Sequence, residues 1–138
     1  MSEELVFVLG STGAPKYETC VRGFDLASGR VAWETPLPGP KGEPHTMMAV
    51  ADEVIVVATG GAHIFCMQRE TGLALWERTA ERIEKSNTSQ PLILITRDRV
   101  IVGLQGVTSA FDMSGSLAWQ SRDGVSAIGV PGRTAGIN

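Results

Sequence analysis

The chain has 138 residues, 43% hydrophobic and 20% charged, with a formal net charge of −3. That length is enough for one domain with a core of its own. The acidic balance and the lack of a dense Lys/Arg cluster argue against binding to nucleic acid through its phosphates. No segment approaches the roughly 18 consecutive apolar residues of a membrane-spanning helix, so we expect no membrane insertion.

Strand signals rich in Val, Ile, Leu and aromatic residues recur along the chain, with Gly, Asp or Ser at the breaks. In chain order they are LVFVL (5–9), strands near 18–25 and 30–35, MMAVADEVIVV (47–57), HIFCMQ (63–68), LALWE (73–77), LILITRDRVIV (92–102), VTSAFDM (107–113), SLAWQ (116–120) and SAIGV (126–130). The polar stretch TAERIEKSN (79–87) is the one plausible helix. The sequence therefore predicts an all-β protein.

Two landmarks repeat along these strands with one period. Three turn glycines are each followed, four residues later, by a tryptophan, and both series advance in steps of 43 residues. They are Gly29, Gly72 and Gly115, and Trp33, Trp76 and Trp119. Four short strands in a repeat of this length predict the blade of a β-propeller.

The pattern around these landmarks resembles the PQQ-like repeat of quinoprotein dehydrogenases and outer-membrane assembly propellers, over essentially the whole chain. The resemblance implies that each turn joins the third and fourth strands of a blade and that each Trp packs between neighbouring blades. Asp25 and Asp112 are expected to cap two of the turns by side-chain-to-backbone hydrogen bonds, and the glycines to supply positive φ. Gln68 replaces the Asp in the middle copy, which predicts a weaker turn there.

With the blade strands lettered A to D from the channel outward, residues 1–138 form one propeller segment. Its predicted parts are B-C-D at 5–36, A-B-C-D at 46–78 and at 91–121, and a closing A strand at 125–130. Three blades cannot close a ring, since propellers usually have four to eight. We therefore predict a six-bladed, head-to-tail homodimer in which Ala127, Ile128 and Val130 complete the partner's first blade. A nine-bladed trimer and a fragment of a longer propeller are the alternatives.

The loops between blades are where we expect a binding surface. PLPGPKGEPH and TAERIEKSNTSQ are long D-to-A connections on a rigid scaffold. The two histidines lie on connections of the same face but lack metal-ligand spacing. GSTGAPK (10–16) departs from the P-loop pattern and reads as a connection. The candidate binding rim is Lys41, Glu43, His45, His63, Arg82 and Lys85.

The resemblance does not bring a cofactor site with it. Quinone-binding propellers use eight blades, calcium-ligating Glu, Asn or Asp, and often a pair of adjacent cysteines, and this sequence has no such pair or constellation. We predict no cofactor, no metal and no catalytic residue. Cys20 and Cys66 read as buried, reduced thiols.

The predicted function is a non-catalytic protein-interaction scaffold that binds itself and an unidentified protein. The N-terminal MSEELVFVLGS lacks the features of a signal peptide, which predicts the cytoplasm of a bacterium. The alternative is a small-molecule-binding or enzymatic propeller with its site at the mouth of the central channel. The predicted A strands, MMAV, LILIT and SAIGV, are mostly apolar and favour the scaffold.

Overall fold

The computed structural model describes residues 4–11, 19–37, 46–59, 63–79, 91–104, 107–121, 128–130 and 133–135. Every regular element in these ranges is a β-strand. The described residues therefore include no helix that is long and apolar enough to cross a bilayer. The strands are β1 (Leu5–Ser11), β2 (Thr19–Asp25), β3 (Val31–Pro36), β4 (Met47–Val50), β5 (Val54–Ala58), β6 (His63–Gln68), β7 (Ala74–Thr79), β8 (Leu92–Ile95), β9 (Arg99–Leu104), β10 (Val107–Asp112), β11 (Leu117–Ser121), β12 (Ile128–Val130) and β13 (Arg133–Ala135). The all-β prediction is confirmed.

The strands form antiparallel sheets in which sequence neighbours pair. The first sheet has the order β1-β2-β3, the second β4-β5-β6-β7 and the third β8-β9-β10-β11, and β12 and β13 form a hairpin. β4 contacts β8, and β8 contacts β12. The first strands of successive sheets, β4, β8 and β12, are therefore neighbours. Among the described residues, the first sheet has no strand at the position that β4 and β8 hold in the other two.

The predicted closing strand falls only partly within the described residues. Ile128 and Val130 lie in β12, which pairs with β13 of the same chain in the register Ile128↔Ala135 and Val130↔Arg133. Ala127 lies outside the described ranges. In this single chain, β12 therefore pairs within its own hairpin and leaves β1 at the edge of the first sheet.

The core lies between the sheets, as the burial of the side chains of β5 shows. All five of its side chains are buried, although alternate residues of a strand point to opposite faces. Val54 and Val56 join an apolar cluster shared with the third sheet, whereas Ile55 and Val57 join one shared with the first sheet. The second sheet is thus covered on both faces. Each such aliphatic side chain contributes about 1.5–3 kcal/mol on burial.

The turn glycines adopt the left-handed conformation. Gly29, Gly72 and Gly115 have φ of +73°, +72° and +90°. Their amides close the turns by donating to the carbonyls of Asp25, Gln68 and Asp112 at 2.8, 2.9 and 3.0 Å. The conformation is one that L side chains rarely adopt, which explains glycine at these places.

Asp25 and Asp112 cap the turns that they open, and Asp25 Oδ1 accepts the Ala27 amide at 3.1 Å. Asp112 Oδ1 accepts the amides of Ser114 and Ser116, each at 3.0 Å, and the Ser114 hydroxyl at 2.7 Å. Gln68 makes a different hydrogen bond within its turn, in which its Oε1 accepts the Thr71 hydroxyl at 2.8 Å. The longer side chain of glutamine therefore still reaches a hydroxyl in the turn.

Asp112→Asn is expected to lower the Tm near neutral pH, and the difference should shrink in acid. The Ser114 hydroxyl, followed by the Ser116 amide, lowers the pKa of Asp112 below its ordinary value of 3.8. A carboxyl with a depressed pKa in the folded state stabilises the protein above its unfolded-state pKa, and this stabilisation is lost as the pH falls through the folded-state value. Thermal unfolding followed by circular dichroism from about pH 7 to about pH 2.5 measures it. A difference in Tm that stays constant over this range would contradict the assignment.

Candidate functional site

Each internal boundary between sheets is built around one tryptophan and one turn glycine. A Cβ atom added to Gly115 would lie 2.7 Å from Cγ of Trp76, and one added to Gly72 would come even closer to the ring of Trp33. The ring on one sheet thus occupies the space that a side chain on the next turn would need. We call this arrangement the Trp–Gly contact.

Hydrogen bonds complete both Trp–Gly contacts. Thr35 Oγ1 donates to the Gly72 carbonyl at 2.6 Å, and Arg78 Nε donates to the Gly115 carbonyl at 2.7 Å. Trp76 Nε1 also donates to the Met113 carbonyl at 3.0 Å. In all three bonds the acceptor lies 37 residues after the donor. The receiving turn therefore contributes main-chain atoms, and the preceding sheet contributes side chains.

A small residue on the strand that precedes and pairs with each tryptophan strand makes room for the ring. Trp33 lies opposite Gly23, Trp76 opposite Cys66 and Trp119 opposite Ala110. Burial raises the pKa of the Cys66 thiol to about 11, so it is protonated at neutral pH and acts as a small apolar residue. Sequence reasoning missed this position, although counting back nine or ten residues from each tryptophan would have found it.

An open groove runs along the boundary between the second and third sheets. Its volume is about 540 Å³. It extends from the turn around Gly115 to the ends of β7 and β11, and its lining residues are Arg78, Thr79, Ser109, Phe111, Gly115, Ser116, Leu117 and Gln120. Phe111 packs on Trp76 with ring centroids 5.8 Å apart, and Gln120 Nε2 donates to Ser109 Oγ at 3.1 Å. The groove thus combines an aromatic ring with a guanidinium, hydroxyls and a carboxamide.

Of the predicted binding rim, only His63 lies within the described residues. His63 is half-buried at the start of β6, where its ring stacks on Phe65 with centroids 6.3 Å apart. The other five rim residues lie outside the described ranges: Lys41, Glu43, His45, Arg82 and Lys85. The groove was not predicted, because its lining comes from strands of two different sheets.

The described residues do not fit a quinone site. Cys20 and Cys66 are free, buried and on separate sheets, β2 and β6, so they cannot form the adjacent pair of quinone-binding propellers. Within the part of the chain that the structure describes, no group of three His, Cys, Asp or Glu could hold a metal ion. We derive no chemistry through such a cofactor.

Consecutive four-stranded antiparallel sheets, joined by the same contact between last strand and next turn, define a β-propeller segment. The chain belongs to the PQQ-like repeat family, since the family model described as "Outer membrane protein assembly factor BamB" matches residues 18–136. The resemblance noted from the sequence is therefore confirmed. No curated protein matches the sequence significantly.

Solved structures show the same fold at low sequence identity. BamB from Moraxella catarrhalis superposes with a TM-score of 0.65 at 20% identity, covering 92% of this chain and 36% of that one. Quinohemoprotein alcohol dehydrogenase from Comamonas testosteroni gives 0.61 at 17%, covering 95% and 21%. BBS1N, solved in complex with ARL6DN, gives 0.55 at 16%, covering 89% and 40%. The chain thus spans less than half the length of each of these proteins.

Proposed function

We propose that this chain is a non-catalytic protein-interaction scaffold and that the groove between its second and third sheets receives a segment of another protein. The lining of the groove carries the proposal. Arg78 and Gln120 can donate to the carbonyls or carboxylates of an extended peptide, while Leu117, which is 55% exposed, offers apolar surface to its side chains. The family description, an assembly factor, and the BBS1N–ARL6DN complex support a role in protein contacts.

The position of the groove favours the scaffold over the alternative, a small-molecule or enzymatic site at the channel mouth. The lining belongs to β7, β10, β11 and the turn before β11. β7 and β11 are the edge strands farthest from β4 and β8 in their sheets, and β10 lies next to β11, whereas β4 and β8 lie on the inner side. Because the fold is similar to that of a quinohemoprotein alcohol dehydrogenase, the experiments must distinguish the scaffold from the enzymatic alternative.

We further propose that two copies form a ring of six units by exchanging β12. Two features support this arrangement: the first sheet has three strands where the others have four, and β12 lies beside β8, where a following unit begins. In the exchanged ring, β1 of the partner takes the place of β13 along β12. Every sheet then has four strands, and no edge is left at β1.

A blocking variant tests the groove. Peptides selected from a random display library on the wild-type protein are expected to converge on one motif. They should bind Thr79→Arg at least about tenfold more weakly, because the larger side chain fills one end of the groove. Glu77→Arg is the matched control, since Glu77 is exposed on the neighbouring position of β7 and does not line the groove. Fluorescence anisotropy with labelled peptides gives the Kd values.

Two results would contradict the scaffold. One is peptide binding that Thr79→Arg leaves unchanged. The other is a saturable thermal stabilisation by quinones or sugars, because a ligand that binds the folded state raises the apparent Tm with its concentration. That second result would favour the small-molecule alternative.

Light scattering on a sizing column tests the ring. The full chain is expected to have twice its mass of 14.7 kDa, and the chain without residues 125–138 to lose this dimer. A mass of three chains would indicate the nine-bladed trimer. A stable monomer at every concentration, indifferent to the truncation, would exclude the ring and favour a fragment of a longer propeller.

A further inference from the structure

We propose that Trp119 of one copy docks on the turn at Gly29 of a second copy and forms a third Trp–Gly contact across the interface. The inference rests on the proposed ring, for which it names the residues that hold the two copies together. It starts from the two internal contacts, Trp33 with Gly72 and Trp76 with Gly115, in which the ring lies against the glycine in the same way. They differ at the indole nitrogen, because Trp76 Nε1 donates to the Met113 carbonyl, whereas Trp33 Nε1 is buried without a hydrogen-bond partner among the described residues.

The two ends of the series each carry half of such a contact. Gly29 has the same left-handed φ as Gly72, +73° against +72°, but an added Cβ at Gly29 would meet no atom within 4 Å. Trp119 is 46% exposed, whereas Trp76, at the equivalent position, is 9% exposed. Among the described residues, the turn at Gly29 therefore has no tryptophan against it, and Trp119 has no turn against it.

The surroundings of the glycine suit such a joint. Leu26, in the turn that ends at Gly29, is 56% exposed. Docking would cover this leucine together with the large aromatic ring of Trp119. Main-chain carbonyls serve as acceptors in the internal contacts, and the turn at Gly29 has the same kind of main chain, so it needs no special side chain to receive the ring.

The occupant is a second copy because this chain carries both halves. Trp119 lies at one end of the series and Gly29 at the other, which is the arrangement of a head-to-tail interface. When the rotation closes on two copies, each contributes one Trp119 and one Gly29, and the ring contains two such contacts. Any other occupant would have to carry a repeat of the same kind, with its own left-handed glycine turn.

Sedimentation equilibrium on single variants is the first part of the test. Trp119→Ser and Gly29→Ala should each raise the Kd of the dimer by about a hundredfold or more, since buried aromatic anchors dominate such interfaces. Leu75→Ser is the matched control: Leu75 lies beside Trp76 on β7, is 44% exposed and should leave the Kd unchanged. Circular dichroism establishes that each variant is folded.

Mixing the two variants is the second part. In a heterodimer of Trp119→Ser with Gly29→Ala, both substitutions fall in the same contact, and the other contact is wild-type. The mixture should therefore associate at least about tenfold more tightly than either variant alone, as read by energy transfer between labelled chains. A dimer that Trp119→Ser does not weaken, or a mixture with no recovery, overturns this inference and leaves the ring standing. A wild-type chain that is monomeric throughout overturns both.

Discussion

Trp76→Ala is expected to lower the free energy of unfolding by about 3–5 kcal/mol, the usual cost of removing a large buried aromatic side chain. Trp76 lies between two sheets, packs on Phe111 and fills the space over Gly115. Its Nε1 also donates to the Met113 carbonyl, which would be left without this donor. Urea unfolding followed by far-UV circular dichroism gives the change without relying on the fluorescence of the missing ring.

Trp76→Phe separates packing from hydrogen bonding at the same position. It keeps an aromatic ring and removes the Nε1 donor, so its cost should be clearly smaller than that of alanine. If alanine costs less than about 1 kcal/mol, Trp76 does not hold the second and third sheets together, and the account of the Trp–Gly contact is wrong.

The second large effect is expected from Gly72→Ala compared with Gly29→Ala. Both positions have nearly the same φ, so the conformational cost of an L residue, about 1–2 kcal/mol, is common to the two variants. Only at Gly72 does the new Cβ collide with the Trp33 ring and with Thr35. We therefore expect Gly72→Ala to lower the free energy of unfolding by about 1–3 kcal/mol more than Gly29→Ala does.

The comparison is best made in a Trp119→Ser background, in which the proposed contact with a second copy is removed. Urea unfolding of the two double variants then reports only on the single chain. Equal losses at the two positions would mean that Gly72 is needed for its backbone conformation alone, with no close approach of Trp33.

The sequence allowed the family and the all-β architecture to be predicted because both rest on local, repeated chemistry. A turn that needs a left-handed residue selects glycine, and Gly29, Gly72 and Gly115 do have positive φ. The period of 43 residues then follows from counting. The small residues opposite the tryptophans were harder to see, because the third turn is one residue shorter and shifts Ala110 out of the common count.

The groove could not be predicted from the sequence. Arg78, Ser109 and Gln120 lie on three strands of two sheets, and their proximity depends on how one sheet is placed on the next. The weaker middle turn stays a prediction, although Gln68 reaches the Thr71 hydroxyl with its longer side chain. The binding rim, His63 included, and the six-bladed ring also stay predictions.

The main-chain acceptors of the Trp–Gly contact affect how the number of repeats in such a protein can change during evolution. Because the receiving side consists of carbonyls and a glycine, any unit that ends in a suitably placed tryptophan can be followed by any unit that carries the turn. Units are then interchangeable, and a whole unit can be duplicated or deleted without new side-chain chemistry at its boundaries. The number of units in a ring is thus free to change by duplication of a segment of 43 residues, while the sequence within each unit drifts.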